Sequence, residues 1–242
     1  MSKILQLQQL SRSFGAITVA DELTYELEEG EALGVIGPNG AGKTSMFNLI
    51  TGTLNADGGR IMFQGEDVTR FSAARRSRMG IARSFQVPQP FSHMTVFENA
   101  MIAATQAAGL SGRQAEQQSL NVLEQTGLMA RANKAAGQLT LLDRKRLELT
   151  RALCARPRLL LLDEIAGGLT EAECSALVDT IKQIHASGVS IIWIEHVVHA
   201  LMAVVDRLIV IDFGKQIADG EPQAIMRSPA VQEIYLGIEA NE

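Results

Sequence analysis

The sequence predicts an α/β fold: a mostly parallel, buried sheet, joined by a small antiparallel sheet and interrupted by an inserted helical lobe. Three observations carry that expectation. Toward the C-terminus, the apolar segments LLLLDE, VSIIWIEH and DRLIVIDFG alternate with helix-like stretches such as EAECSALVDTIKQIHASG, the pattern of strands covered by helices on both faces. The opening residues alternate apolar with polar instead, as half-exposed strands do. Between them, from about Met94 to Arg156, Ala-, Gln- and Leu-rich stretches follow a helical pattern.

Taken in order, Leu5 and Leu7 alternate with Gln, and Leu23, Tyr25 and Leu27 alternate with Thr24 and Glu26, which predicts a small antiparallel sheet. ALGVI, Ala32 to Ile36, is short and wholly apolar, the mark of a strand buried on both faces. TSMFNLITG reads as a helix stopped by Gly52. GGRIMFQGEDVT predicts another hairpin, and GIARSFQ, Gly80 to Gln86, a strand leading into the proline-bearing loop VPQP. Gly109 and Gly127 are turn signals within the helical stretch. One domain is expected, with residues 1–90 and 151–242 forming the core and about 91–150 the helical lobe.

Composition narrows the function classes. At 242 residues and 46% hydrophobic, the chain can bury a full-sized core. Net charge is −5 with no long basic run, so the broad attraction to phosphate backbones needed for non-specific nucleic-acid binding is missing. Cys154 and Cys174 stand alone, with no zinc spacing or disulfide framework, which fits a reducing cytoplasm. No apolar run approaches the ~18 residues of a membrane-spanning helix. MSKILQLQQLSRSFG lacks a continuous apolar core and is expected to be mature protein. Any membrane role would be peripheral.

Chemistry concentrates first in GPNGAGKTS. Gly37, Gly42, Lys43 and Thr44 fit G-x-x-x-x-G-K-[ST] between a buried strand and a helix, the setting this phosphate-binding loop requires. Its glycines let backbone N–H groups wrap phosphates, Lys43 reaches the β- and γ-phosphates, and Thr44 offers a hydroxyl to Mg²⁺. A plain glycine-rich turn leaves Lys43 unexplained. LLLLDE supplies a second half: Asp163 at a strand end can hold the hydration shell of Mg²⁺, and Glu164 can orient an attacking water. Paired acids there could also cap the next helix.

With these motifs in place, the sequence resembles the ATP-binding-cassette ATPases over nearly its whole length. Gln86 in RSFQVPQPF is similar to the family's Q-loop glutamine, His196 in IIWIEHVVH to its switch histidine, and Phe14 in SFGAITVA to the aromatic that stacks on adenine, with Val19 beside it. Each has an ordinary alternative: a loop residue, a helix-start residue, core packing. GIARSFQ, FSHMTVFENAMIAA, RALCARPRLLLLDE and DRLIVIDFGKQIADGEPQAIMRSPAVQEIYLG most resemble the ATPase subunits of branched-chain amino acid importers, the larger of the two such importers pair.

The resemblance implies a P-loop NTPase with a RecA-like core, and ATP and Mg²⁺ as cofactors. Nucleotide contacts are expected from Phe14, Val19, Gly37, Pro38, Asn39, Gly40, Ala41, Gly42, Lys43, Thr44, Ser45 and Thr140. Metal contacts are expected from Thr44, Gln86 and Asp163, and catalysis from Glu164, His196, Lys43 and Gln86. It also implies an ATPase dimer, homomeric or with a related ATPase, two membrane-spanning permease subunits, indirectly a solute-binding protein, and a peripheral place on the cytoplasmic membrane face. A soluble cassette ATPase acting on ribosomes or DNA is the alternative; it usually needs tandem cassettes, a coiled-coil insertion or a basic surface.

The sequence departs from the family at LTLLD, Leu139 to Asp143, where LSGGQ or LSYGQ would stand. Thr140 keeps a hydroxyl, but Leu142 replaces a glycine that allows close backbone approach, so a weakened contribution from this segment is expected. Thr140-x-x-Asp143 is equally a capping-box pattern. Ile165 stands where proline usually follows DE, and AGGLT is an altered D-loop. Arg144, Lys145 and Arg146 are expected to be a solvated helix face. His93, His185 and His199 are expected at the surface or on helices, and Trp193 in the core.

Overall fold

The computed structural model describes residues 2–236; Met1 and residues 237–242, the last six of the expected core segment 151–242, lie outside the described residues. Strands β1 (Lys3–Phe14) and β2 (Ile17–Glu28) pair antiparallel, and β1 also pairs antiparallel with β4 (Gly58–Phe63), which pairs with β5 (Glu66–Asp67). This is the small sheet that the alternating leucines predict: Leu5, Leu7, Leu23 and Leu27 are all buried, while Gln6 between the first two is partly exposed and Thr24 and Glu26 between the second two are exposed.

The second sheet has six strands. β3 (Ala32–Ile36) lies between β8 (Ser190–Ile194) and β9 (Arg207–Asp212), followed outward from β8 by β7 (Leu159–Asp163) and β6 (Ile81–Arg83), all parallel. β10 (Lys215–Gly220) closes the β9 edge antiparallel. Every residue of β3, β7 and β8 is buried, because both faces are covered. Leu33, Val35, Leu161, Ile192 and Ile194 pack with the antiparallel sheet and helix α1 (Lys43–Thr51). Their neighbours Leu160, Leu162, Ile191 and Trp193 join a second core with the helices of the opposite face. At roughly 1.5–3 kcal/mol per buried large apolar side chain, these two cores hold the parallel strands between them.

On that opposite face, α3 (Val96–Gln106), α4 (Gly112–Gln125) and α5 (Leu141–Cys154) form the helical middle, after the short α2 (Ala73–Arg78). α6 (Glu171–Ala186), α7 (Val198–Met202), α8 (Pro222–Arg227) and α9 (Pro229–Leu236) follow among the described residues. Helix α5 runs continuously through residue 150, packing on α3 and contributing to the sheet's outer core. Trp193 is fully buried, as expected.

Two expectations need correction. β6 spans only three residues, and Gln86 lies in a bend beyond it; the last bond to the neighbouring strand is from Ser84 N–H to Leu161 O at 2.9 Å, after which the chain leaves the sheet. Lys145 is not on a solvated face. It is 5% exposed because it shares the inward stripe of α5 with Glu148, Leu149 and Ala152, at i, i+3, i+4 and i+7.

Candidate active site

The loop after β3 turns sharply enough to demand glycine at two points. A Cβ on Gly37 would stand 2.0 Å from the Ile211 carbonyl oxygen, and one on Gly42, whose φ is 103°, 2.2 Å from that of Val19. Gly42 is the residue from which α1 starts, with no side-chain cap and no acidic residue in the first turn. The helix therefore presents its first N–H groups and its positive end to the loop. Lys43 is buried, its Nζ donating to the carbonyls of Gly37 at 2.7 Å and Pro38 at 2.8 Å. Burial pushes its pKa down, against the opposing pull of Glu164 and Asp163.

β7 carries the two acids to the same end of the sheet. Glu164 takes φ 48°, a left-handed conformation rare outside glycine and asparagine, and such strain gathers at functional sites. Four contacts hold it there. Its N–H donates to Ile194 O at 2.9 Å, Lys145 Nζ donates to its carbonyl at 3.3 Å, and its carboxylate sits between Gln86 Nε2 and His196 Nε2, the latter 3.1 Å away. Glu195, 1% exposed, accepts from the N–H groups of Ala166, His196 and Val197, tying the segment after Glu164 to the end of β8.

Asp163 is more deeply placed, 2% exposed, and burial raises its pKa despite the Arg83 guanidinium bound to it. Arg83 Nη2 reaches Oδ2 at 2.5 Å, while Oδ1 is buried with no hydrogen-bond partner.

One cleft gathers residues 39–45, Ile17 and Val19 of β2, and Gln86, Glu164 and His196. Segments far apart in sequence thus converge on one cleft whose lining includes the Glu164 carboxylate and Lys43.

The family described as ABC transporter matches residues 20–167, more than half of the chain. The chain belongs to the ABC transporter family. A second match, described as branched-chain amino acid ATP-binding cassette transporter, covers residues 215–241 of this ABC ATPase. The high-affinity branched-chain amino acid transport ATP-binding protein BraF of Pseudomonas aeruginosa is 34% identical to it over 97% of this chain and 98% of that protein. LivG of Escherichia coli K12, which carries the same description, gives the same identity and coverage. Among solved structures, a nucleotide-free ATP-binding cassette from an ABC transporter superposes with a TM-score of 0.89 at 29% identity, covering 98% of this chain and all of that one. The P-loop NTPase architecture expected from the motifs is therefore the one the ABC ATPase has.

Of the expected nucleotide residues, Asn39 to Ser45 and Val19 line the cleft; Gly37 and Pro38 shape the loop beneath it by binding Lys43. Phe14, at the end of β1, is half-exposed with the Arg12 guanidinium 4.6 Å from its ring centroid, and it is Ile17, not singled out by sequence, that faces the cleft. Thr140 starts α5, its hydroxyl accepting from Asp143 N–H at 3.3 Å. Asp143 forms an ion pair with Arg131 at 2.7 Å, and α5 lacks the reciprocal bond of a capping box. His185 is less solitary than its sequence setting implied: its Nε2 lies 2.7 Å from Gly30 O and 3.4 Å from Asp206 Oδ2. Arg83, Lys145 and Glu195 are the site-adjacent residues that sequence reasoning missed. The signal for Arg83 and Glu195 was a charge at the end of a strand otherwise read as buried.

Proposed function

We propose that this ABC ATPase energises the import of branched-chain amino acids or a related small polar solute. It would act as one half of an ATPase dimer on the cytoplasmic membrane face, attached to two membrane-spanning subunits and served indirectly by a solute-binding protein. The observation that carries the chemical part is Glu164, a strained carboxylate held between Gln86 and His196 at the mouth of the Lys43 loop. The descriptions of the relatives support the transported class, and the C-terminal match to branched-chain amino acid cassettes points the same way. Among the described residues no helix is long and apolar enough to cross a membrane, so spanning the bilayer falls to partners.

The donors present suit Mg²⁺. Asp163 offers one unpartnered buried oxygen and Thr44 an exposed residue at the start of α1, and Mg²⁺ is commonly held by one or two protein oxygens together with substrate phosphates. Thr44, Asp163 and Gln86 are its proposed holders. When bound with ATP, the ion neutralises charge on the transferring γ-phosphoryl group. The N–H groups of residues 39–45 bind the phosphates, Lys43 adds a positive charge whose desolvation strengthens its pull, and Glu164 accepts a hydrogen bond from the attacking water. Gln86 and His196 orient Glu164. Val19, Ile17 and Phe14 are the proposed contacts to the adenine, and Thr140 the proposed contact to the γ-phosphate on the opposite subunit.

The test is a pull-down of tagged Glu164→Gln protein with ATP and Mg²⁺ from detergent extracts of its native cells. Multi-span membrane proteins should co-purify, and the same substitution should abolish uptake of labelled leucine. Recovery of ribosomes, DNA or no membrane protein would sink the transporter reading.

A further inference from the structure

Arg83 stands apart from the contacts described so far because it joins three pieces of the site at once. Its Nη2 binds Asp163 Oδ2, and its Nη1 donates to Asn48 Oδ1 on α1 at 2.6 Å. Its guanidinium lies 5.5 Å from the Phe47 ring centroid and 5.2 Å from that of Phe85, the neighbour of Gln86. The ion pair is almost wholly buried, the two side chains being 8% and 2% exposed. A buried pair of this kind adds little net stability, because desolvating two charges offsets their attraction. What a planar, two-pronged guanidinium supplies is orientation, which a lysine ammonium does not reproduce.

We propose that Arg83 is a positioning residue for the metal: it holds Asp163 by Oδ2 and anchors it to α1 through Asn48, leaving Oδ1 as the oxygen that meets the hydration shell of Mg²⁺. The inference rests on the Mg²⁺-ATP reading above. Oδ1 is buried without a partner, and a buried carboxylate oxygen left so is costly; a metal-bound water is a donor that fits it. Because Asn48 shares helix α1 with Lys43 and Thr44, the fork also sets the distance between the metal carboxylate and the phosphate loop.

The experiment measures fluorescent mant-ATP binding to Glu164→Gln protein by anisotropy, once in EDTA and once in excess Mg²⁺. The ratio of the two affinities isolates the metal's contribution. Added Arg83→Lys should cut that ratio about tenfold while leaving the EDTA affinity within about twofold, in the range found when residues behind metal ligands are altered. Asn48→Ala should lower the ratio in the same direction by less, and serves if Arg83→Lys fails to fold. An unchanged ratio overturns the proposal, and so does an increased one, which would make Arg83 a competitor of the metal. Loss of EDTA affinity in step with Mg²⁺ affinity also overturns it, in favour of general support of the loop. If the Glu164→Gln parent binds no nucleotide under either condition, the ATP-site reading itself fails.

Discussion

Helices α1 and α6 begin in opposite ways. At the start of α6, the Thr170 hydroxyl accepts from Glu173 N–H, the Glu173 carboxylate accepts from both Thr170 N–H and its hydroxyl, and two acids occupy the first turn. Helix α3 is closed the same way by Thr95 and Glu98. At the start of α1 there is a left-handed glycine, no side-chain cap, a lysine in first place and no acid. The first arrangement satisfies the helix from within. The second keeps donors and positive potential for something anionic from outside, and forgoes the roughly 1 kcal/mol a good cap supplies. Helix α5 lies between them, with Thr140 bonding one N–H but Asp143 engaged with Arg131.

This contrast is breakable by experiment. The largest effect is expected from Lys43→Ala, which should lower ATP turnover about a hundredfold or more without lowering the melting temperature at neutral pH. The sign follows from its depressed pKa: burial opposes the ammonium form, so the charged group costs stability below its folded pKa, and that cost fades as pH rises toward the ordinary lysine value. A clear drop in melting temperature by calorimetry would show that the α1 start is a folding element after all. Next, ATP with Mg²⁺ at a hundred times its Kd should stabilise the native protein by about 2.7 kcal/mol, and should do so far less in Lys43→Ala. Thr170→Ala should show the reverse signature, losing about 1 kcal/mol of stability in urea titration with mant-ATP affinity unchanged. The smallest change is expected from Leu142→Gly, which restores a close backbone approach at the start of α5. ATPase of the assembled dimer should rise a few-fold, by about 0.6–1 kcal/mol of transition-state stabilisation; an unchanged rate would mean that this position does not limit catalysis.

The same contrast explains what was legible in the sequence. Strands β3, β7 and β8 were readable because burial on both faces removes alternation and leaves short runs such as LLLL, whereas β1 and β2 announce one wet face through every second residue. The α1 loop was readable because glycine spacing and a following lysine are local. Arg83 with Asp163, and Gln86 and His196 with Glu164, were not readable as contacts, since partners separated by 80, 78 and 32 residues meet only once the sheet order is known. Lys145 misled for a different reason. Beside Arg144 and Arg146 it reads as part of a wet basic run, yet consecutive helix residues point about 100° apart, and its own stripe contains Leu149 and Ala152. The apolar spacing in RKRLELTRAL held that information.

Trp193 is the single tryptophan of the chain. It lies fully buried on β8 beside Leu162 and Gly34, two residues before Glu195 and three before His196, with its indole Nε1 unpartnered. The protein thus carries its own optical reporter. Its tryptophan emission comes from one ring on the strand that leads to the histidine facing Glu164, so a shift in colour or lifetime on adding nucleotide would report on the surroundings of that strand without any attached dye.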